Sequence, residues 1–146
     1  RDPVSRFFSQ YFYARNKNSN HAKTHLNLDE WINSKRGIES GRMYVNYFSY
    51  ELDSNRYTLN DKISRAKENL YNFYSIGFTE DIKSFLATNN INIFSYLSYY
   101  KVLFTKSNKN PVKNYMQTIN YEQLKKVEDI CKPDIEIYNW ARQYYL

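Results

Sequence analysis

Glycine and proline are scarce in this chain: three of each in 146 residues. That scarcity argues against a loop-rich or repeat-turn architecture, and no fixed-period repeat runs through the sequence. A single cysteine, Cys131, excludes an internal disulfide and any CxxC-type metal spacing. No stretch reaches the roughly twenty apolar residues of a membrane-spanning helix, and none reads as a signal peptide. None of the asparagines is followed two places on by Ser or Thr with a non-proline between, where chance would supply roughly two such sites. Their absence leans away from a glycosylating secretory pathway. There is no initiator Met either, and the chain opens on Arg1.

Aromatic side chains fill the space that these absences leave. Hydrophobic residues make up 42% and aromatics 18%, with 16 Tyr and 9 Phe, which excludes wholesale disorder and predicts an aromatic core. The length suits one ordinary domain able to bury a real core. Net charge is +6, which favours polyanionic partners such as a nucleotide, an acidic glycan, a nucleic acid or an anionic lipid.

The spacing of apolar residues predicts mostly helices. The first runs from about Asp2 to Arg15: Asp2 is a cap, Pro3 sits at the first helical position, and Val4, Phe7, Phe8, Tyr11 and Phe12 form one apolar face. "NKNSNHAKTH" reads as a polar loop. "NLDEWINSKRG" reads as a short helix capped by Asn27 and stopped at Gly37, and "SGRMYVNYFSYEL" as another, packed by Met43 and Tyr47. In "TLNDKISRAKENLYNF" Thr58 caps, Asp61 follows three places later, and Ile63, Ala66 and Leu70 make the buried stripe.

"FYSIGFTED" is the best strand candidate, running into Thr79 as cap of the helix "EDIKSFLAT". A strand leading into a capped helix is half of a βα unit, and one strand cannot satisfy its own backbone. "INIFSYLSYYKVLF" favours helix, and "TKSNKNPVKNY" reads as a basic loop. Asn120 and Gln123 start a helix with Leu124, Val127, Ile130 and Cys131 inward; Pro133 and Asp134 restart helix as "DIEIYNWARQYYL".

Arg1 lies just outside the first helix, where backbone N–H groups and the macrodipole favour an anion. Ser9 falls about 10 Å along that helix, by its 1.5 Å rise per residue. A guanidinium fork and a rotatable hydroxyl together suit a phosphate monoester. His21 and His25 read as solvated or substrate-contacting loop residues rather than metal ligands, and no metal is expected. Trp31, Trp140 and Cys131 read as packing residues, and Glu80 as a carboxylate stabilised at a helix N-terminus.

The stretch R-D-P-x-x-R-F-x-S, here Arg1, Asp2, Pro3, Arg6, Phe7 and Ser9, resembles the 3′-phosphate-binding motif of sulfotransferases that use 3′-phosphoadenosine 5′-phosphosulfate (PAPS), in particular the carbohydrate branch. Three further segments follow in that family's order. "GRMYVNYFSYEL" is similar to its N-x-Q-T-R-x-L segment at Asn46, Ser49 and Leu52, with Phe48 and Tyr50 in place of Gln and Arg. "RAKENLYNFYSIGFTED" resembles A-x-x-x-L followed by F-x-x-V-G-L-T-E, through Ala66, Leu70, Phe73, Gly77, Thr79 and Glu80. "TKSNKNP" and "DIEIYNWARQYY" resemble its basic loop and its closing D-x-E-L-Y-x-x-A helix.

The resemblance implies an α/β fold: the C-terminal half of a P-loop-like sulfotransferase domain, mostly helical with about one strand. Residues 1–146 would form the C-terminal part of that single domain, with the phosphosulfate loop, its Lys and the catalytic base on an N-terminal half ahead of Arg1. The implied function is transfer of a sulfuryl group from PAPS to a carbohydrate hydroxyl, in which this chain supplies the 3′-phosphate-binding half and is inactive alone. Arg1 and Ser9 would hold the 3′-phosphate, and the loop of Lys106, Ser107, Asn108 and Lys109 would fold over the cofactor. Catalytic residues are not assigned by the resemblance.

The implied partner is a glycan or another hydroxyl acceptor, without nucleic acid or a membrane segment. A bacterial-type cytoplasm is the favoured setting, or the Golgi lumen in a eukaryote. The alternative is a non-catalytic basic helical module that binds nucleic acid or an acidic polysaccharide through aromatic rings interleaved with cations.

Overall fold

The computed structural model describes residues 1–50, 56–88 and 115–146. Among them are seven α-helices: α1 (Pro3–Asn16), α2 (Leu28–Asn33), α3 (Lys35–Gly41), α4 (Met43–Phe48), α5 (Leu59–Tyr71), α6 (Ile82–Thr88) and α7 (Tyr121–Tyr145). Short 3₁₀ turns cover Thr79–Asp81 and Tyr115–Thr118.

No β-strand occurs among the described residues, which overturns the α/β expectation. The predicted strand in "FYSIGFTED" shows why. Residues 75–78 carry neither helix nor turn, and Phe78 has extended dihedrals (φ −94°, ψ 138°). No second segment pairs with them among the described residues. An extended backbone without a ladder partner is not a strand. Thr79 does not cap as expected: it opens the 3₁₀ turn, which has no side-chain cap, and α6 follows from Ile82.

Cap chemistry sets most helix starts. Asp2 Oδ1 accepts the Ser5 amide at 2.7 Å, with Pro3 opening α1. Reciprocal capping boxes start α2 (Asn27 with Glu30), α5 (Thr58 with Asp61) and α7 (Asn120 with Gln123). Gly37 does not stop the second helix. Ser34 breaks it instead, accepting the Gly37 amide at 3.0 Å and capping α3, which runs through Gly37.

The 25-residue α7 is the spine of the fold. Pro133 was expected to divide it, yet the helix runs through. Proline deletes one i→i−4 bond, but buried residues on the same face continue from Val127 and Cys131 before it to Ile137 and Ala141 after it. The first half of α7 packs on α1 and α2, where Phe7, Phe8, Tyr11, Trp31 and Ile32 close around Val127 and Cys131. The second half packs on α4 and α5, with Val45, Ile63, Ala66 and Leu70 around Ile137. Phe78, Tyr138 and Ala141 form a third cluster beside it. Burying each of the large aromatics contributes about 2–3 kcal/mol, so Phe7, Phe8, Tyr11, Trp31, Phe78 and Tyr138 anchor this core, while many of the tyrosines, among them Tyr47, Tyr74 and Tyr121, face solvent. Tyr47, expected inward, is exposed, and Val45 fills the core position of α4.

Candidate functional site at the start of α1

Capping by Asp2 fixes where the backbone enters α1, and two long-range hydrogen bonds pin the residues just ahead of the helix. The Asp2 amide donates to Glu80 Oε1 at 2.9 Å, and the Tyr44 hydroxyl donates to the Arg1 carbonyl. Tyr138 in turn donates its hydroxyl to Glu80 Oε2 at 3.1 Å. Partial burial raises the Glu80 carboxyl, but the Asp2 amide and the other donors outweigh it, and its pKa lies below the usual range. Glu80 thus stands as a strut between Tyr138 and the start of α1, its carboxyl held toward the ionised form. It was expected at the N-terminus of the helix "EDIKSFLAT"; it lies instead in the 3₁₀ turn ahead of α6 and holds the start of α1.

The Arg1 side chain is exposed, and among the described residues it has no hydrogen-bond or ion partner. Ser9 is half-buried two turns along α1, and its hydroxyl makes no hydrogen bond among the described residues. Arg1 thus stands ahead of the cap of α1 and Ser9 two turns along the helix, each with polar valence to spare, and no bond joins their side chains among the described residues. Lys106, Ser107, Asn108 and Lys109 lie outside the described residues, as do Leu52 and "INIFSYLSYYKVLF".

Beneath Arg1 lies an apolar cleft of about 150 Å³, lined by Arg1, Tyr44, Phe48, Ile76, Phe78, Tyr138 and neighbouring side chains of α5 and α7. Behind it is a polar cluster that joins two residues read separately in the sequence, Arg6 in the R-D-P-x-x-R-F-x-S stretch and Asp134 at the expected helix restart. Arg6 Nη2 donates to Asp134 Oδ2 at 2.8 Å and to the Ser40 carbonyl at 3.0 Å. Its guanidinium also stacks over the Tyr44 ring at 4.5 Å. Asp134 also accepts the Tyr44 and Val45 amides at 2.8 and 3.0 Å, so a residue of α7 caps α4. The available signal was a carboxylate placed between Cys131 and Ile137 at core spacing, where an unpaired charge is too costly to bury.

The remaining candidates fall out of the site. His21 and His25 are exposed, and no group of three or more potential metal ligands occurs among the described residues. Trp31 and Cys131 are fully buried, as expected of packing residues, and burial pushes the Cys131 thiol up to about 12. Among the described residues no helix is long and apolar enough to cross a membrane. No family model, curated protein or solved structure matches this chain.

Proposed function

We propose that this chain supplies the 3′-phosphate-binding part of a PAPS-dependent sulfotransferase that acts on a carbohydrate hydroxyl. The observation that carries the reading is Arg1: its backbone is held through Tyr44 and the neighbouring Asp2–Glu80 bond, while its guanidinium stays in solvent beside the start of α1. A pinned cation next to a helix N-terminus is suited to an anion, and Ser9, two turns along α1, adds a hydroxyl without a hydrogen bond among the described residues. On this reading the two side chains converge on the 3′-phosphate of the cofactor. PAPS would supply the activated sulfuryl group, and the part of Arg1 and Ser9 is to bind and orient. The loop of Lys106, Ser107, Asn108 and Lys109 belongs to the same proposal, as does inactivity of the chain by itself.

The alternative, a basic module for nucleic acid or acidic polysaccharide, is supported less well. Lys67, Lys132 and Arg142 are engaged in ion pairs with Glu136, Asp129 and Asp81, although exposed rings such as Tyr47, Tyr74 and Tyr121 remain free to stack on bases.

Titration of the desulfated cofactor, PAP, against adenosine 5′-phosphate, followed by amide chemical shifts, separates the two readings. The sulfotransferase reading expects weak binding that needs the 3′-phosphate, moves the first two turns of α1, and is lost in Arg1→Ala and in Ser9→Ala. Equal response to both nucleotides, or binding that only tracks salt concentration, overturns it.

A further inference from the structure

Residues 75–78, Ser-Ile-Gly-Phe, connect α5 to the 3₁₀ turn along one side of the cleft. Ile76 and Phe78, two apart, both enter the hydrophobic core, while Gly77 between them is exposed, the alternation of a strand. Yet the amides of all four residues lack a backbone or side-chain acceptor among the described residues, and the Phe78 carbonyl is used only by the Asp81 amide closing the turn.

Proteins that keep such an edge in water protect it with Lys, Pro or a covering element. Among the described residues no second backbone lies along this edge: the six residues Phe-Tyr-Ser-Ile-Gly-Phe from position 73 include neither charge nor proline, Phe73 and Tyr74 are exposed, and the Phe85 ring of α6 packs against Gly77. Beside it the walls of the cleft are aromatic, and the free cation of Arg1 stands at its mouth.

We propose that residues 75–78 form an open pairing edge that takes one extended segment of a partner polypeptide. Main-chain hydrogen bonds hold the segment to the edge, an apolar side chain fills the cleft, and a carboxylate meets Arg1. Each part answers a specific feature: the unpaired amides call for a second backbone, the cleft for an apolar group, and the exposed guanidinium for an acid. Recognition of this kind draws its affinity from the backbone and its selectivity from the pocket.

The test uses the 146-residue chain and two synthetic probes. One is the acetylated, amidated peptide Glu-Val-Phe-Val-Thr; the other has the same side chains with every backbone amide N-methylated, so that it can fill the cleft but cannot pair. In the free protein the Ile76, Gly77 and Phe78 amides are expected to exchange rapidly with solvent. The first peptide is expected to bind saturably and slow exchange about tenfold or more at alternate amides only, the Ile76 and Phe78 pair or the Ser75 and Gly77 pair, and the N-methylated peptide is not. Equal binding of both peptides would show cleft filling without pairing and overturn the proposal. So would amides already protected in the free chain, no binding up to about 1 mM, or protection that rises with protein concentration alone as a second copy closes the edge. These outcomes are read in the absence of PAP, which would compete with the segment's carboxylate for Arg1.

Discussion

Arg6 and Asp134 meet at 2.8 Å across 128 positions of sequence, with the Asp134 side chain wholly buried. The pair ties α1 to α7, and through the Tyr44 and Val45 amides it ties α7 to α4. The arrangement is unbalanced: Asp134 has three donors, while Arg6 Nε and Nη1 are buried without acceptors. Removing one partner therefore costs more than the pair itself contributes, because it strands a buried charge. Arg6→Ala is expected to destabilise the fold by about 3–5 kcal/mol, read by chemical denaturation. Arg6→Ala combined with Asp134→Ala should be milder than the sum of the two single losses.

Asp134 also gives the fold a pH dependence. Burial raises its carboxyl from 3.8 to about 6, against the pull of the Tyr44 and Val45 amides, Arg6 and Arg42. The folded state therefore binds this proton more tightly than the unfolded chain does. Stability contributed by this group is fully present below about pH 4, falls as pH rises towards 6, and is flat above that. The full change is about 3 kcal/mol. Unfolding free energies of the wild type and Asp134→Asn, measured across pH 4 to 7, should show this slope in the wild type alone. A parallel pair of curves would show that Asp134 titrates as it does in the unfolded chain.

Gly41 permits the close approach of α3 to α7. A Cβ built there collides with Cγ2 of Ile130 and lies 3.5 Å from the Cys131 thiol. Gly41→Ala gains up to about 1 kcal/mol of helix propensity and loses about 1–3 kcal/mol to overpacking, so a net loss is expected. Ile130→Ala removes the colliding methyl. In the Gly41→Ala background it should cost less than in the wild type, and a double-mutant cycle reads the difference.

Local chemistry was legible in the sequence wherever a few neighbouring residues decide the outcome. Asp2 with Pro3, Asn27 with Glu30, Thr58 with Asp61 and Asn120 with Gln123 all start helices as their spacing implies, because a cap is closed within four residues. The stripe Ile63, Ala66 and Leu70 is buried for the same reason. Legibility failed where a distant partner decides. The strand at residues 75–78 required a second strand that is not among the described residues, and Pro133 looked like a break because the core holding α7 continuous comes from α1, α2, α4 and α5. At the site, Arg1 and Ser9 were readable as anion-binding chemistry, but the groups that position Arg1, namely Tyr44 and Glu80, lie 43 or more residues away.

Glu80 offers the most direct handle on that positioning. It accepts from the Asp2 amide and the Tyr138 hydroxyl and makes no hydrogen bond with the Arg1 guanidinium. Glu80→Ala removes both contacts and leaves the cation in place. At a largely exposed site the loss of stability should be modest, about 1 kcal/mol, while exchange of the Asp2 amide should accelerate and PAP binding should weaken. Glu80→Gln keeps an acceptor for the Asp2 amide and should restore most of the binding, because the anchor is geometric. If Glu80→Ala instead strengthened PAP binding, its carboxylate would be acting mainly by opposing the anion's charge, and the anchoring role would be wrong.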